Sequence, residues 1–368
     1  MSEVEMFESS FVFNDSTFRL LHDELVGEEL NPEVVLGVGG ATNTLLNLIP
    51  NQHVNKSWDL GCGSSAVSIA LSQFSDQVIA TDISNRALDY AKQSAKANNI
   101  ENIEFRIGSL VEPVANEKFD LIVSNPPFVI GQVTNLEHRE SPFEADGLTR
   151  TLLESIPNLL NENGIAIFLA SWLETEDESW QDRISQMLPD DVHVWVGLRE
   201  LQTPNEYVET WLADARIDDR ELAKAWKSKL ASWKTKHVAF GFVVIQKDMS
   251  VELCQNIDDA RNANRLPTGN EVLSCIEEMK QASALSAVSV MTSGFTATTS
   301  QGWRGDVALD GVSSGLRINL GAGLGFEEAC QKVASELDLD LEDVRIYGLA
   351  GVKTLVSMGL LALNTPRI

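Results

Sequence analysis

Apolar residues recur along this chain in three successive rhythms. Within the first 33 residues Phe18, Leu21 and Leu25 stand at helical spacing, which predicts a short amphipathic cap helix ended by Pro32. From about residue 36 to 246, short β-branched runs alternate with helix-like segments. Ser57–Leu60, Val78–Thr81, Ile103–Ile107, Phe119–Ser124 and Ile165–Leu169 read as strands. Ser65–Phe74 and Arg86–Asn98 read as helices, the second opened by Ser84 as its cap. Alternation of this kind predicts right-handed crossovers and a parallel sheet with helices on both faces.

Two later runs, His193–Val196 and Val238–Ile245, lack a normal crossover between them and predict an antiparallel pair at the sheet edge. The segment separating them is helix-like and charged. Six of the eight tryptophans (172, 180, 195, 211, 226 and 233) fall in this region, and at helical spacing they read as core packing. Beyond about residue 249 the composition shifts. Asn256–Asn270 is polar and carries Pro267 and Gly269, a boundary signal. Ala282–Gly325 is rich in small residues, with turn signals at Gly305-Asp306 and Asp310-Gly311, whereas Phe326–Glu336 and Val352–Met358 read as helices. The expected division is an acidic cap segment over 1–35, an α/β domain over 36–248 with a Trp-rich helical insertion at about 200–236, and a small mixed α/β accessory domain over 249–368.

Composition narrows the choices. A length of 368 residues suits two domains, and 43% hydrophobic residues suits a globular chain. No apolar run is long enough for a membrane-spanning helix. The acidic start lacks the basic character of a signal peptide, and the four cysteines show no CxxC pairing, so a reducing, cytoplasmic setting without a membrane is expected. None of the five histidines stands at metal-ligand spacing with another, so no metal is expected. The net charge of −26 disfavours stable binding to naked nucleic acid. The densest basic stretch, Lys224, Lys227, Lys229, Lys234 and Lys236, could form a local groove or a solvated face.

Two motifs carry candidate chemistry. The first is Asp59-Leu60-Gly61-Cys62-Gly63 at the end of the first strand of the α/β region. Glycines there let the backbone turn tightly and approach a ligand, and the next helix presents free N–H groups. Asp82 ends the following strand, where it can accept hydrogen bonds from ribose hydroxyls. Gly61-x-Gly63-x-x-Ala66 also satisfies a dinucleotide fingerprint, so a nicotinamide enzyme stays open. Asp59 argues against a diphosphate beside the turn and suits a cationic ligand group. The second motif is Ser124-Asn125-Pro126-Pro127-Phe128. Its prolines hold the backbone extended and leave carbonyls exposed, Asn125 adds an amide oxygen, and Phe128 offers a stacking surface. Together they suit a planar –NH2 group held for attack on a good leaving group.

On DLGCG (59–63), ATDIS (80–84), GSLVEP (108–113), FDLIVSNPPF (119–128) and Asp146-Gly147-Leu148, the chain resembles class I S-adenosylmethionine-dependent methyltransferases. It looks most like the branch of HemK-type glutamine N5-methyltransferases and amino-group nucleic-acid methyltransferases, and is similar to actinobacterial HemK-related proteins. The resemblance implies a Rossmann-like seven-stranded sheet whose last strand is antiparallel, with S-adenosylmethionine as cofactor. It implies Asp59, Gly61 and Gly63 at the methionine part, Asp82 at the ribose, and Ile83, Ser109 and Leu110 around the adenine. It places Asn125 and Pro126 at the accepting nitrogen, with Asn125 also bordering the cofactor. Two positions depart from the pattern: Ser65 replaces a third glycine, and Ser109 replaces a frequent acid. A protein glutamine is the favoured acceptor, with a base of RNA or DNA (adenine N6 or guanine N2) as the alternative. A nicotinamide enzyme or a catalytically silent cofactor-binding protein is the remaining reading. Thr42 and Thr44 could line the methionine end or simply cap a helix, and Glu137, His138, Arg139 and Glu140 could form a lid or a solvated loop.

Overall fold

The computed structural model describes residues 6–23, 34–131, 140–141, 143–248, 255–262, 265–277, 296–299, 310–357 and 361–364. The chain begins not with the expected helix but with a hairpin of β1 (Met6–Phe13) and β2 (Ser16–Asp23). Asn14 and Asp15 turn it at φ 47° and 62°, the paired positive values that a type I′ turn requires. Phe11, Phe13, Phe18 and Leu20 are its buried side chains, whereas Val12 is 65% exposed. Period two therefore outweighs the helical spacing of Phe18 and Leu21, because the Asn-Asp turn closes one apolar face onto another.

A central sheet follows: β3 (Val54–Leu60), β4 (Ser75–Asp82), β5 (Ile103–Ile107), β6 (Phe119–Ser124), β7 (Leu160–Thr175), β8 (His193–Gln202), β9 (Thr235–Gln246) and β10 (Gln255–Asp259). Its helices are α1 (Gly40–Leu48), α2 (Ala66–Leu71), α3 (Asn85–Ala97), α4 (Gly147–Ser155), α5 (Trp180–Ser185), α6 (Pro204–Asp214) and α7 (Arg220–Ser232). Ser84 caps α3 as expected, accepting from the Ala87 N–H. The hairpin lies against α3, where Ser94 Oγ accepts from the Leu21 N–H at 2.9 Å.

Spatially the strands run β10-β8-β9-β7-β6-β3-β4-β5. The parallel Rossmann-like core and the antiparallel β9 agree with the expectation, with two corrections. The sheet has eight strands, since β10 joins it beside β8. And β9 is interior, antiparallel to β7 on one side and β8 on the other. Its run from Val238 to Gln246 is almost wholly buried, as a strand covered on both faces requires. Trp58, Trp172, Trp195 and Trp226 are all within 1% of full burial, so these tryptophans are core packing.

The chain order reverses between β4 and β6 on either side of β3. That switch point is where a crevice opens at the carboxyl ends of parallel strands. Leu60 of β3 is in register with Ser124 of β6, which sets the glycine turn beside Asn125.

The chain divides into two compact units, 1–247 with 257–259, and 248–256 with 260–368. In the second, helices α8 (described over 269–277), α9 (Gly311–Gly321), α10 (Phe326–Leu337) and α11 (Leu341–Ser357) accompany an antiparallel pair, β11 (Thr296–Thr299) and β12 (Leu361–Asn364). Leu316, Leu320, Phe326, Cys330, Val333, Val352 and Leu355 form its core. The last helix starts eleven residues earlier than Val352, because Glu342 and Asp343 suit its first turn. The Gly305-Asp306 turn signal lies outside the described residues.

Candidate active site

The turn after β3 is built from backbone. The N–H groups of Gly61 and Cys62 both donate to Thr81 O at 2.9 Å, tying the turn to the end of β4. Gly61 and Gly63 take φ of 74° and 51°, values that side chains resist. A Cβ built at Gly39, Gly40, Gly61 or Gly63 would meet nothing within 4 Å, so four glycines border open space at the sheet's carboxyl end. Ser65, at the departed third glycine position, is forced to φ 83° and caps α2 without using its side chain. Its buried hydroxyl finds no partner among the described residues.

Asp59 is 1% exposed and lies behind the turn, where the Ser68 hydroxyl donates to its carboxylate. Burial pushes its pKa up to about 7, the nearby Asp82 charge adds to that, and Ser68 opposes it. This is an acid without a counter-cation among its described neighbours. Asp82 joins two loops: its carboxylate accepts from the Gly63 N–H and from the Ser84 N–H, each at 2.9 Å. Burial raises its pKa against those bonds.

Beside Asp82, Ile83 is 66% exposed, and Ile107, which pairs with Asp82 across the β4–β5 ladder, is 49% exposed. Two large apolar side chains are thus left in water next to the Asp82 carboxylate. Ser109 is half-buried, and Leu110, at φ 47°, packs partly against the main core.

The second motif closes the other side of the crevice. Ser124 Oγ donates to Leu60 O at 2.8 Å, locking β6 to β3 where the motif begins. The Asn125 amide nitrogen donates to Thr42 Oγ at 3.3 Å, while its amide oxygen is buried with no partner among the described residues. An unpaired buried acceptor costs about 1–3 kcal/mol, so this oxygen is poised for an N–H donor.

Phe128 corrects an expectation. Instead of an open stacking surface it is 8% exposed, 4.7 Å from Phe240 and edge-on to Trp211 at 5.8 Å. Phe240 of β9 and Trp211 of α6 supply that packing, and α6 and α7 hold the backbone just beyond it. Tyr207 Oη accepts from the Ile130 N–H at 2.7 Å, and Trp226 Nε1 donates to Ile130 O at 2.9 Å. Gly131 must be glycine here, since a Cβ would sit 2.3 Å from Trp226 Nε1.

Other candidates take plainer roles. Asp146 is buried against Arg183 and accepts from the Leu173 N–H at 3.3 Å. Lys227, Lys229, Lys234 and Lys236 each pair with a carboxylate, those of Glu209, Glu144, Asp177 and Glu174. Glu137, His138 and Arg139 lie outside the described residues, and Glu140 is buried. Sequence reasoning missed the places of Ile107 beside Asp82 and of Tyr207, Phe240 and Trp226 beside the second motif, because strand register and helix docking bring them there. Only the continuous apolar run around Phe240 hinted at an interior strand.

Residues 37–169 match the family model of the methyltransferase small domain. Over 89 residues the chain is 42% identical to a release factor glutamine methyltransferase of Aliivibrio fischeri, covering 23% of this chain and 31% of that protein. It is 32% identical over 172 residues to the release factor glutamine methyltransferase of Enterococcus faecalis, covering 46% and 53%. A ribosomal protein L11 methyltransferase of Lactobacillus johnsonii is 35% identical over 147 residues, covering 38% and 40%. The chain therefore spans between 31% and 53% of the length of these curated relatives.

Proposed function

With a methyltransferase small domain over residues 37–169 as its catalytic core, we propose that this chain is an S-adenosylmethionine-dependent N-methyltransferase. It transfers a methyl group in line to an amide or amino nitrogen, and a protein glutamine is the favoured acceptor. The observation that carries the reading is the buried, unpartnered Asn125 amide oxygen beside the glycine turn.

The residues fit the cofactor. Asp82 and the exposed Ile83 and Ile107 suit a ribose and an adenine, and the open space at Gly61 and Gly63 suits a close-lying methionine part. The uncompensated Asp59 carboxyl suits a cationic group nearby. The bound cofactor would supply an electrophilic methyl on a sulfonium.

The chain's own residues hold the acceptor. The Asn125 oxygen and the Pro126 carbonyl accept the two N–H bonds of a planar amino group, which turns the nitrogen lone pair toward the glycine turn. Positioning of this kind can supply most of the catalysis without a strong base. Held this way, the nitrogen would accept the methyl as the sulfonium leaves as a neutral thioether, and would give up one proton to water. Phe128, packed on Phe240 and Trp211, keeps the Pro126-Pro127 segment rigid.

Protein is favoured over nucleic acid because four of the five clustered lysines lie beside carboxylates, which lowers the positive potential a phosphate backbone would meet. The names of the relatives from Aliivibrio fischeri and Enterococcus faecalis support a glutamine of a release factor as the acceptor.

The deciding experiment uses methyl-tritiated S-adenosylmethionine and a lysate of cells lacking this gene, with Asn125→Ala as control. Label released by protease and absent with Asn125→Ala is the expected result. Label released by nuclease would overturn the protein acceptor, and failure to bind S-adenosylmethionine would overturn the reaction.

A further inference from the structure

We propose that Arg199 is a carboxylate anchor at the mouth of the transfer pocket, an inference that rests on the reading above. Because β9 is antiparallel to both β7 and β8, β8 runs parallel to β7, β6 and β3. Its C-terminal end, where Arg199 stands, therefore lies at the same rim as the glycine turn and Asn125.

Two independent paths lead from the Asn125–Phe128 motif to this guanidinium. On one side Asn125 is held by Thr42 of α1, and Arg199 Nη1 donates to Thr44 Oγ on the same helix. On the other side Phe128 packs on Phe240 at 4.7 Å, and the Arg199 guanidinium carbon lies 5.9 Å from the Phe240 ring centroid. The cation thus connects to each end of the motif through one intervening element, α1 on one side and the Phe240 ring on the other.

Its ion pair is looser than those of two other arginines. Arg86 and Arg183 are hydrogen-bonded to the buried carboxylates of Asp23 and Asp146. Arg199 instead rests on a neutral hydroxyl and an aromatic ring, and its acidic neighbour Glu200 is 3.6 Å away and itself 46% exposed. A guanidinium carries five N–H donors in a planar fork that matches a carboxylate bidentately. Held by a hydroxyl and a ring, that fork keeps donors for a ligand.

The carboxylate can come from two sources, the amino-acid end of the cofactor or an acidic group beside the accepting nitrogen. The test uses the purified full chain, Arg199→Gln and Arg199→Lys. Calorimetry compares S-adenosylmethionine with its decarboxylated form. Methylation rates compare a synthetic peptide with Asp next to its glutamine against the same peptide with Asn.

In the wild type, at least one carboxylate-bearing ligand should outperform its carboxylate-free counterpart by about tenfold or more. Arg199→Gln should bring that ratio near one, and Arg199→Lys should restore part of it. A ratio lost in the cofactor pair assigns the anchor to the cofactor, and one lost in the peptide pair assigns it to the acceptor. If Arg199→Gln keeps both wild-type ratios, the anchor is overturned while the methyltransferase reading stands. If the wild type binds neither form of the cofactor, that reading fails, and the anchor with it.

Discussion

The Asn125 amide nitrogen donates to the Thr42 hydroxyl across 3.3 Å, a bond that ties the second motif to α1. With the nitrogen committed, the oxygen is left buried and unpaired among the described residues. Asn125→Ala should therefore abolish transfer while leaving S-adenosylmethionine affinity within several-fold. Thr42→Val should lower kcat at nearly unchanged cofactor affinity, because the amide then loses the side chain that holds it. Single-turnover rates alongside calorimetric binding check both, and an Asn125→Ala enzyme with wild-type turnover would show that the acceptor lies elsewhere.

Asp82 braces the Gly63 and Ser84 amides, and under the proposed function its remaining lone pairs accept from a ribose. Asp82→Ala should weaken cofactor binding by about 1.5–3 kcal/mol, the usual loss for hydrogen bonds involving a charged group. Asp82→Asn should lose less, since its amide oxygen can still accept from Gly63. Equilibrium binding of the three forms gives the comparison.

Under the proposed function, the raised pKa of Asp59, about 7, predicts a cofactor affinity that depends on pH. Below that value the carboxyl holds a proton, and a cationic ligand favours the ionised form, so binding releases a proton. Affinity should rise with pH up to about 7 and level off above it, and Asp59→Asn should flatten the profile. Stability runs the other way for this group. Its folded pKa lies above the unfolded one, so the folded protein holds the proton longer and the contribution to stability falls as pH rises from about 4 through about 7. Calorimetry in buffers of different ionisation enthalpy counts the proton directly.

Ser65 bears strain that a glycine would not. Left-handed backbone costs a non-glycine residue about 1–2 kcal/mol, the hydroxyl is buried without a partner, and glycine loses about 0.5–1 kcal/mol through entropy. Ser65→Gly should therefore stabilise the protein by about 1 kcal/mol, read as a higher midpoint in urea at unchanged slope. A lower midpoint would show that the side chain contributes something its contacts do not reveal.

Tyr207 and Trp226 hold both backbone polar groups of Ile130, two residues beyond Phe128. Tyr207→Phe leaves a buried N–H without its acceptor and should cost about 1–3 kcal/mol of stability. It should also lower kcat with little change in cofactor affinity, because the acceptor-side loop loosens while the glycine turn is untouched. A melting curve and a kcat against Kd comparison separate the two effects.

The glycine turn, Asp82 at the end of the next strand and the Asn125-Pro126-Pro127-Phe128 segment were legible in the sequence. Each is a local device, written in turn sterics, strand-end position and proline geometry within a few residues. The alternation of apolar runs likewise determined the parallel sheet and the helix capped by Ser84. Other features were not legible. The opening hairpin was masked by a coincidental helical spacing that its Asn14-Asp15 turn overrules. The place of β9 inside the sheet, the burial of Phe128, the carboxylate-paired lysines and the bonds of Thr42 and Arg199 depended on which strands became neighbours. Asn125 meets Thr42 across 83 residues, and Arg199 meets Thr44 across 155. Contacts at such separations follow from sheet order and register, and no local propensity encodes them. The sequence by itself thus determined what chemistry the crevice could hold, and the tertiary structure decided which side chains orient it and what surrounds the acceptor.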